Sequence, residues 1–101
     1  MSRASRGVKE RSVEEELVRR VRAMGGLCYK AYVTGVRGFP DRLVVLPGGR
    51  VVFVECKRPT GGVVSAHQTQ LLDKLAGLGA EVAFIKNSYD IDRLLAAAIE
   101  R

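Results

Sequence analysis

A chain of 101 residues with a hydrophobic fraction of 47% and a formal net charge of +6 is long enough for one packed domain and too apolar for wholesale disorder. No apolar run is long enough to span a bilayer. The basic start Met1-Ser2-Arg3-Ala4-Ser5-Arg6-Gly7 is followed by no apolar stretch, so an intracellular protein is expected, cytoplasmic or in a host cell's cytoplasm, rather than a secreted one.

Residues 1–11 set Arg3, Arg6, Lys9 and Arg11 among Ser, Ala and Gly. They read as a flexible basic arm, or as a solvated tail with no role, ahead of a single domain over 12–101. Ser12-Val13-Glu14-Glu15 has the spacing of a capping box. A helix is therefore expected from Ser12 to about Met24, stopped by Gly25-Gly26. Its apolar stripe is Leu17, Val18, Val21 and Met24. Glu14 precedes Leu17 and Val18 by three and four residues and shares their inward side, whereas Glu15 and Glu16 do not.

Leu27 to Val33 reads as a first strand, followed by a loop. Arg42 to Leu46 and Val51 to Lys57 read as a second and third strand, joined by the three-residue loop Pro47-Gly48-Gly49. Pairing Leu46 with Arg50 places Asp41 opposite Glu55 on one face. A two-residue Gly48-Gly49 loop would set Asp41 against Cys56 instead. Arg58-Pro59-Thr60-Gly61-Gly62 ends the third strand, and Ser65 caps a second helix with the stripe Leu71, Leu72, Leu75 and Leu78, ending at Gly79. Gln68 shares that stripe's side. Glu81 to Ile85 reads as a fourth strand, parallel to the third because a helix connects them. A last helix, Tyr89 to Glu100, buries Ile91, Leu94, Leu95, Ala98 and Ile99. The sum is an α/β fold, a small mixed sheet flanked by helices in the order αβββαβα.

The positive excess lies wholly within residues 1–58, which points to nucleic acid or another polyanion as partner but not to any chemistry. The chemistry comes from side-chain placement. Glu55 and Lys57 project from one strand face, Asp41 joins them across the hairpin, and Glu14 and Gln68 come inward from two helices. Several carboxylates in one place disfavour each other's ionisation, and a hard dication with oxygen ligands, Mg²⁺ or Mn²⁺, resolves that conflict. Asp41, Glu55 and the Cys56 carbonyl would hold the ion. Lys57 would orient or help deprotonate the attacking water and offset phosphate charge, Glu14 would bind a second ion or an ion-bound water, and Gln68 would place water or substrate. Each residue also has an ordinary reading. Glu-x-Lys is commonly a solvated pair, Gln68 can close a capping box with Ser65, Glu14 can simply favour the helix dipole, and Asp41 can be a turn residue. Cys28 and Cys56 read as reduced core residues, and the lone histidine, His67, as an exposed helix-start residue, which leaves no zinc-site pattern. Tyr29, Tyr32 and Phe39 read as core or sheet-face residues.

Glu14, Gly38-Phe39-Pro40-Asp41, Glu55-Cys56-Lys57 and Ser65-Ala66-His67-Gln68 together resemble the motifs of the PD-(D/E)XK nuclease superfamily, and within it the VRR-NUC (virus-type replication-repair nuclease) domain. The resemblance spans about residues 12–95, with Ala66 where many members carry Pro. It implies a restriction-endonuclease-like core and a metal-dependent, structure-selective DNA endonuclease. Glu14, Asp41, Glu55, Lys57 and Gln68 would be its functional positions. Small stand-alone members resemble Holliday-junction resolvases and are expected to be homodimers acting on duplex or branched DNA. Arg37, Arg42 and Arg58, with the arginines and lysine of the arm, are candidates to touch that DNA. The alternative is a module of the same fold that binds nucleic acid without cutting it or works only with a partner; a third reading is a scaffold for acidic proteins.

Overall fold

The computed structural model describes residues 10–57 and 66–99. Its elements run α1 (Glu10–Ala23), β1 (Leu27–Lys30), β2 (Arg42–Leu46), β3 (Arg50–Cys56), α2 (Ala66–Gly77), β4 (Glu81–Ile85) and α3 (Ser88–Ile99). The strands form one sheet in the order β1-β2-β3-β4. The first two pairings are antiparallel and β3–β4 is parallel, so the αβββαβα mixed-sheet expectation holds.

The pleat sorts the strand residues into two faces. Cys28, Val44, Leu46, Val52, Val54, Cys56 and Ile85 lie on one, all buried, and meet Val13, Leu17 and Val21 of α1 and Ile91, Leu94 and Leu95 of α3. Removing each such aliphatic side chain from water contributes roughly 1.5–3 kcal/mol, so this face carries the stability of the domain. Arg50 is buried at its rim. Its guanidinium forks onto both carboxylate oxygens of Glu81 and also donates to the Leu94 carbonyl at 2.8 Å, tying β3 to β4 and α3. On the opposite face α2 packs against β4, and Leu27, Tyr29 and Val51 stay exposed.

Helix ends follow local chemistry. After α1, the Gly26 N–H reaches the Val21 carbonyl and the Gly25 N–H that of Arg22, a Schellman closure that needs the positive φ of Gly25. After α2, Ala80 N–H to Leu75 O and Gly79 N–H to Ala76 O repeat it. At the start of α3, the Asn87 side-chain oxygen accepts the Asp90 N–H at 3.0 Å and Asp90 accepts the Lys86 N–H at 2.9 Å.

Several sequence expectations are corrected. The first helix begins at Glu10, so Glu10 and Arg11 are helical and Ser12 sits exposed inside the helix instead of capping it. Glu and Arg are good helix formers, and a capping-box spacing does not stop a helix extending past it. Val13 is therefore a core residue. β1 ends at Lys30 rather than Val33: the last backbone bond on that side comes from Ala31, which donates to the carbonyl of Asp41, just ahead of β2, at 2.9 Å. α2 stops at Gly77, and Leu78, expected in its buried stripe, is 77% exposed beyond the last helical turn. Tyr29 is a sheet-face residue as expected, though exposed, and Phe39 is half-buried; Tyr32, past the end of β1, is exposed and belongs to neither core nor sheet face. Of the expected features, Arg3, Arg6, Lys9, Arg58 and the Ser65 cap lie outside the described residues, as do the side chains of Arg11, Ala98 and Ile99.

Candidate active site

The hairpin sets the register. Leu46 pairs with Arg50 across Pro47-Gly48-Gly49, with φ of 92° at Gly48 and a Gly49 N–H to Leu46 carbonyl bond of 3.0 Å. Pro at the first central position and a positive-φ glycine at the second are what a type II turn requires. The ladder then runs back to Arg42 opposite Val54. One step further, Asp41 lies beside Glu55, on the face away from the Val44–Val52 core.

Asp41 is fixed at both ends. Its backbone oxygen takes the Ala31 N–H, its Oδ2 accepts the Cys56 N–H at 2.9 Å, and the preceding Pro40 is buried. Glu55 is wholly buried. Its Oε2 accepts from Gln68 Nε2 at 2.5 Å and faces Lys57 Nζ at 3.0 Å. Gln68 Oε1 in turn accepts from Lys57 Nζ at 3.3 Å, so glutamate, lysine and amide form a closed triangle. Lys57 is buried too, and its backbone N–H continues the β3–β4 pairing to the Ile85 carbonyl at 2.9 Å.

Glu55 Oε1 is buried with no hydrogen-bond partner among the described residues. Burial raises the Glu55 carboxyl above its ordinary range; the Lys57 hydrogen bond pulls it down, the Asp41 charge pushes it up, and the nearby Asp41 backbone N–H offers a weak attraction. An orphaned oxygen on a buried carboxylate beside a second carboxylate lacks a positive partner. An oxygen-seeking dication would fit that gap, and Asp41, Glu55 and the carbonyl of Cys56, the last β3 residue, are the groups that could hold it. Among the described residues no three His, Cys, Asp or Glu side chains converge as a metal cage. A short donor set of this kind leaves positions for water, which suits Mg²⁺. The Cys56 side chain is packed in the core, on the face opposite Asp41 and Glu55, so Cys56 can offer this site only its backbone; burial pushes both the Cys56 and Cys28 thiols up.

α2 is held against this cluster by Gly38. A Cβ there would stand 2.7 Å from the Gln68 nitrogen and the His67 carbonyl carbon. Bare backbone thus lets the 38–41 loop press on the first turn of α2, which aims Gln68 at Glu55. Phe39 packs edge-on to Phe53 of β3, ring centroids 5.8 Å apart and planes at 83°, and seats the same loop on the sheet. His67, beside it, is exposed.

Glu14 stands apart. Its Oε2 accepts from Arg42 Nε at 2.7 Å and lies 3.5 Å from Lys30 Nζ. Arg42 is on the core side of the pleat, so Glu14 approaches from the α1 face while Asp41 and Glu55 occupy the other. Arg42, named from sequence as a DNA contact, is mostly buried in this ion pair; Arg37 is exposed. Sequence reasoning missed Gly38 and Phe39 as positioning residues. The Gly-Phe-Pro-Asp run flagged a turn, but nothing in it shows that a helix backbone lies against the glycine.

No family model matches the chain. It is 42% identical over 90 residues to the curated protein "Putative nuclease p44" of Acyrthosiphon pisum secondary endosymbiont phage 1, covering 89% of this chain and 95% of that protein. A solved structure described as "VRR_NUC domain" superposes with a TM-score of 0.81 at 32% identity, over 89% of this chain and 97% of that one.

Proposed function

The chain belongs to the VRR-NUC nuclease family, and from that premise we propose that it is a Mg²⁺- or Mn²⁺-dependent endonuclease that hydrolyses phosphodiester bonds in DNA, with a preference for branched substrates such as Holliday junctions. The observation that carries this reading is the buried Glu55 carboxylate, bonded through Oε2 to Lys57 and Gln68 and left with an orphaned Oε1, next to Asp41 across the hairpin.

Asp41, Glu55 and the Cys56 carbonyl would hold the ion. When bound, it polarises a phosphoryl oxygen and lowers the pKa of a water. Lys57, fixed by Glu55 and Gln68, points its ammonium at the attacking water and offsets the charge that grows on the phosphate. The water oxygen bonds to phosphorus as the P–O bond to the leaving nucleotide breaks; the water's proton passes to solvent, and the departing oxygen takes a proton from a solvent water to leave as a hydroxyl. Gln68 holds the lysine and glutamate in mutual register. Glu14 would act on a second ion or an ion-bound water only after loosening its pair with Arg42. No helix among the described residues is long and apolar enough to cross a membrane.

A homodimer would suit a four-way junction, since a two-fold axis sets one site on each of two strands. The exposed Leu27, Tyr29 and Val51, on the sheet face that α2 leaves open, support such a contact. The test is cleavage of a labelled four-way junction against a linear duplex of the same sequence, for wild type and Lys57→Ala, in Mg²⁺, Mn²⁺ and EDTA. Cutting that needs metal, is lost in the variant and favours the junction is the expected result. Binding without cutting in any metal would overturn it in favour of a non-catalytic or partner-dependent module.

A further inference from the structure

The basic residues of α1 divide sharply in their use. Arg20 serves the fold: it pairs with Glu16 one turn back and with Asp92 of α3 at 2.7 Å. Arg19 and Arg22 are exposed and have no ion pair among the described residues. They line, with Glu15 and Val18 of α1 and with Arg42 of β2, an open groove of about 430 Å³. Arg42 reaches it with its Nε already held by Glu14, an arrangement that orients the planar guanidinium. Three guanidinium groups thus share one concavity with a single acid, Glu15. Arg42 is offset by Glu14, whereas Arg19 and Arg22 gather further like charge beside it, which costs the fold stability, and they make none of the ion pairs that Arg20 and Arg50 make among the described residues.

We propose that this groove is a second phosphate-binding surface for DNA, gripping the backbone away from the bond that is cut; the proposal rests on the nuclease reading above. Guanidinium forks match phosphate oxygens in pairs. Val18 adds an apolar wall, and no aromatic side chain among the described residues lines the groove, so it takes backbone and does not stack bases or read sequence. Its link to the active site is covalent. Asp41 and Arg42 are consecutive, so their side chains leave opposite sides of one strand: Asp41 into the carboxylate cluster, Arg42 toward the groove. A nucleic acid held at both must pass the outer end of β2, which a bent or branched substrate does more easily than a straight one.

The test is fluorescence anisotropy of a labelled four-way junction in EDTA across a salt series, with Arg19→Gln/Arg22→Gln compared with wild type. A control, Lys74→Gln/Lys86→Gln, removes the same charge from exposed positions elsewhere. The expected result is binding weakened about tenfold or more, and a plot of log affinity against log salt whose slope falls by about two, roughly one for each phosphate no longer held. The Mn²⁺-induced rise in melting temperature should stay at the wild-type value, which separates a weakened grip on DNA from a damaged catalytic cluster. Wild-type affinity and slope in the Arg19/Arg22 variant would overturn the proposal, and so would an equal loss in the control. A wild-type protein that binds no DNA even at low salt would overturn both the groove and the nuclease reading, whereas normal binding with no cleavage would overturn only the latter.

Discussion

At Glu55 a carboxylate is buried with one oxygen bonded twice and the other not at all, and its folded-state pKa is raised, first by burial. A raised carboxyl binds its proton more tightly folded than unfolded. Its stabilising contribution is therefore complete below the ordinary 4.5 and is lost as pH rises through the folded value. Glu55→Gln removes this ionisation. Without metal, the variant should melt above wild type at neutral pH, and the gap should close as pH falls below about 4.5; thermal melts in EDTA over pH 4–8 check this. Asp41 adds a second test. From sequence alone, Asp41→Ala only relieves repulsion and should leave the metal-free melting temperature unchanged or higher. The bond from the Cys56 N–H to Asp41 adds an opposing term, since a stranded buried donor costs about 1–3 kcal/mol. Asp41→Asn keeps an acceptor and loses the charge. It should match or exceed wild type in EDTA, with Asp41→Ala below it, and both should lose the stabilisation that Mg²⁺ or Mn²⁺ gives wild type.

Between elements, the decisive contact is loop 38–41 against the start of α2. Gly38 has a φ of 78° and no room for a Cβ, because the atoms it would meet are backbone. Gly38→Ala combines the strain of a positive φ, about 1–2 kcal/mol, with overpacking of about 1–3 kcal/mol. Urea denaturation should show a loss of about 2–5 kcal/mol. Because the shift falls on Gln68, cleavage should drop further than the unfolded fraction accounts for. Gly35→Ala is the comparison: φ there is 81°, but nothing lies within 4 Å, so it should lose only the strain term and leave cleavage per folded molecule unchanged. The hairpin, by contrast, was legible in advance. Pro47-Gly48-Gly49 prescribes its own turn, and the turn prescribes the Asp41–Glu55 register through a period of two.

For the whole molecule, the two sheet faces have different fates. One is sealed by α1 and α3 into the core; the other is covered by α2 at β4 and open at Leu27, Tyr29 and Val51. If a second copy covers the open part, Val51→Lys should turn the dimer into a monomer in sedimentation equilibrium. It should also reduce paired cutting of a junction while leaving the melting behaviour in Mg²⁺ of the isolated protomer near wild type. A wild-type monomer at all concentrations would remove the dimer from the functional reading.

The element order, the parallel β3–β4 pair and the approach of Asp41, Glu55, Lys57 and Gln68 to one another followed from the sequence itself, because hairpin register and helix periodicity are local rules that chain neighbours obey. Three things did not. Glu14 lies three and four residues ahead of core positions, so periodicity sends it inward, but only the fold shows that Arg42 and Lys30 meet it there. Gly38 is one glycine among 11 until α2 arrives against it. The sorting of arginines into structural ones and ones with no ion pair among the described residues needs the partners in place, since Arg19, Arg20 and Arg22 look alike along the chain. Each of these depends on residues far apart in sequence meeting in space, and that is what tertiary packing alone decides.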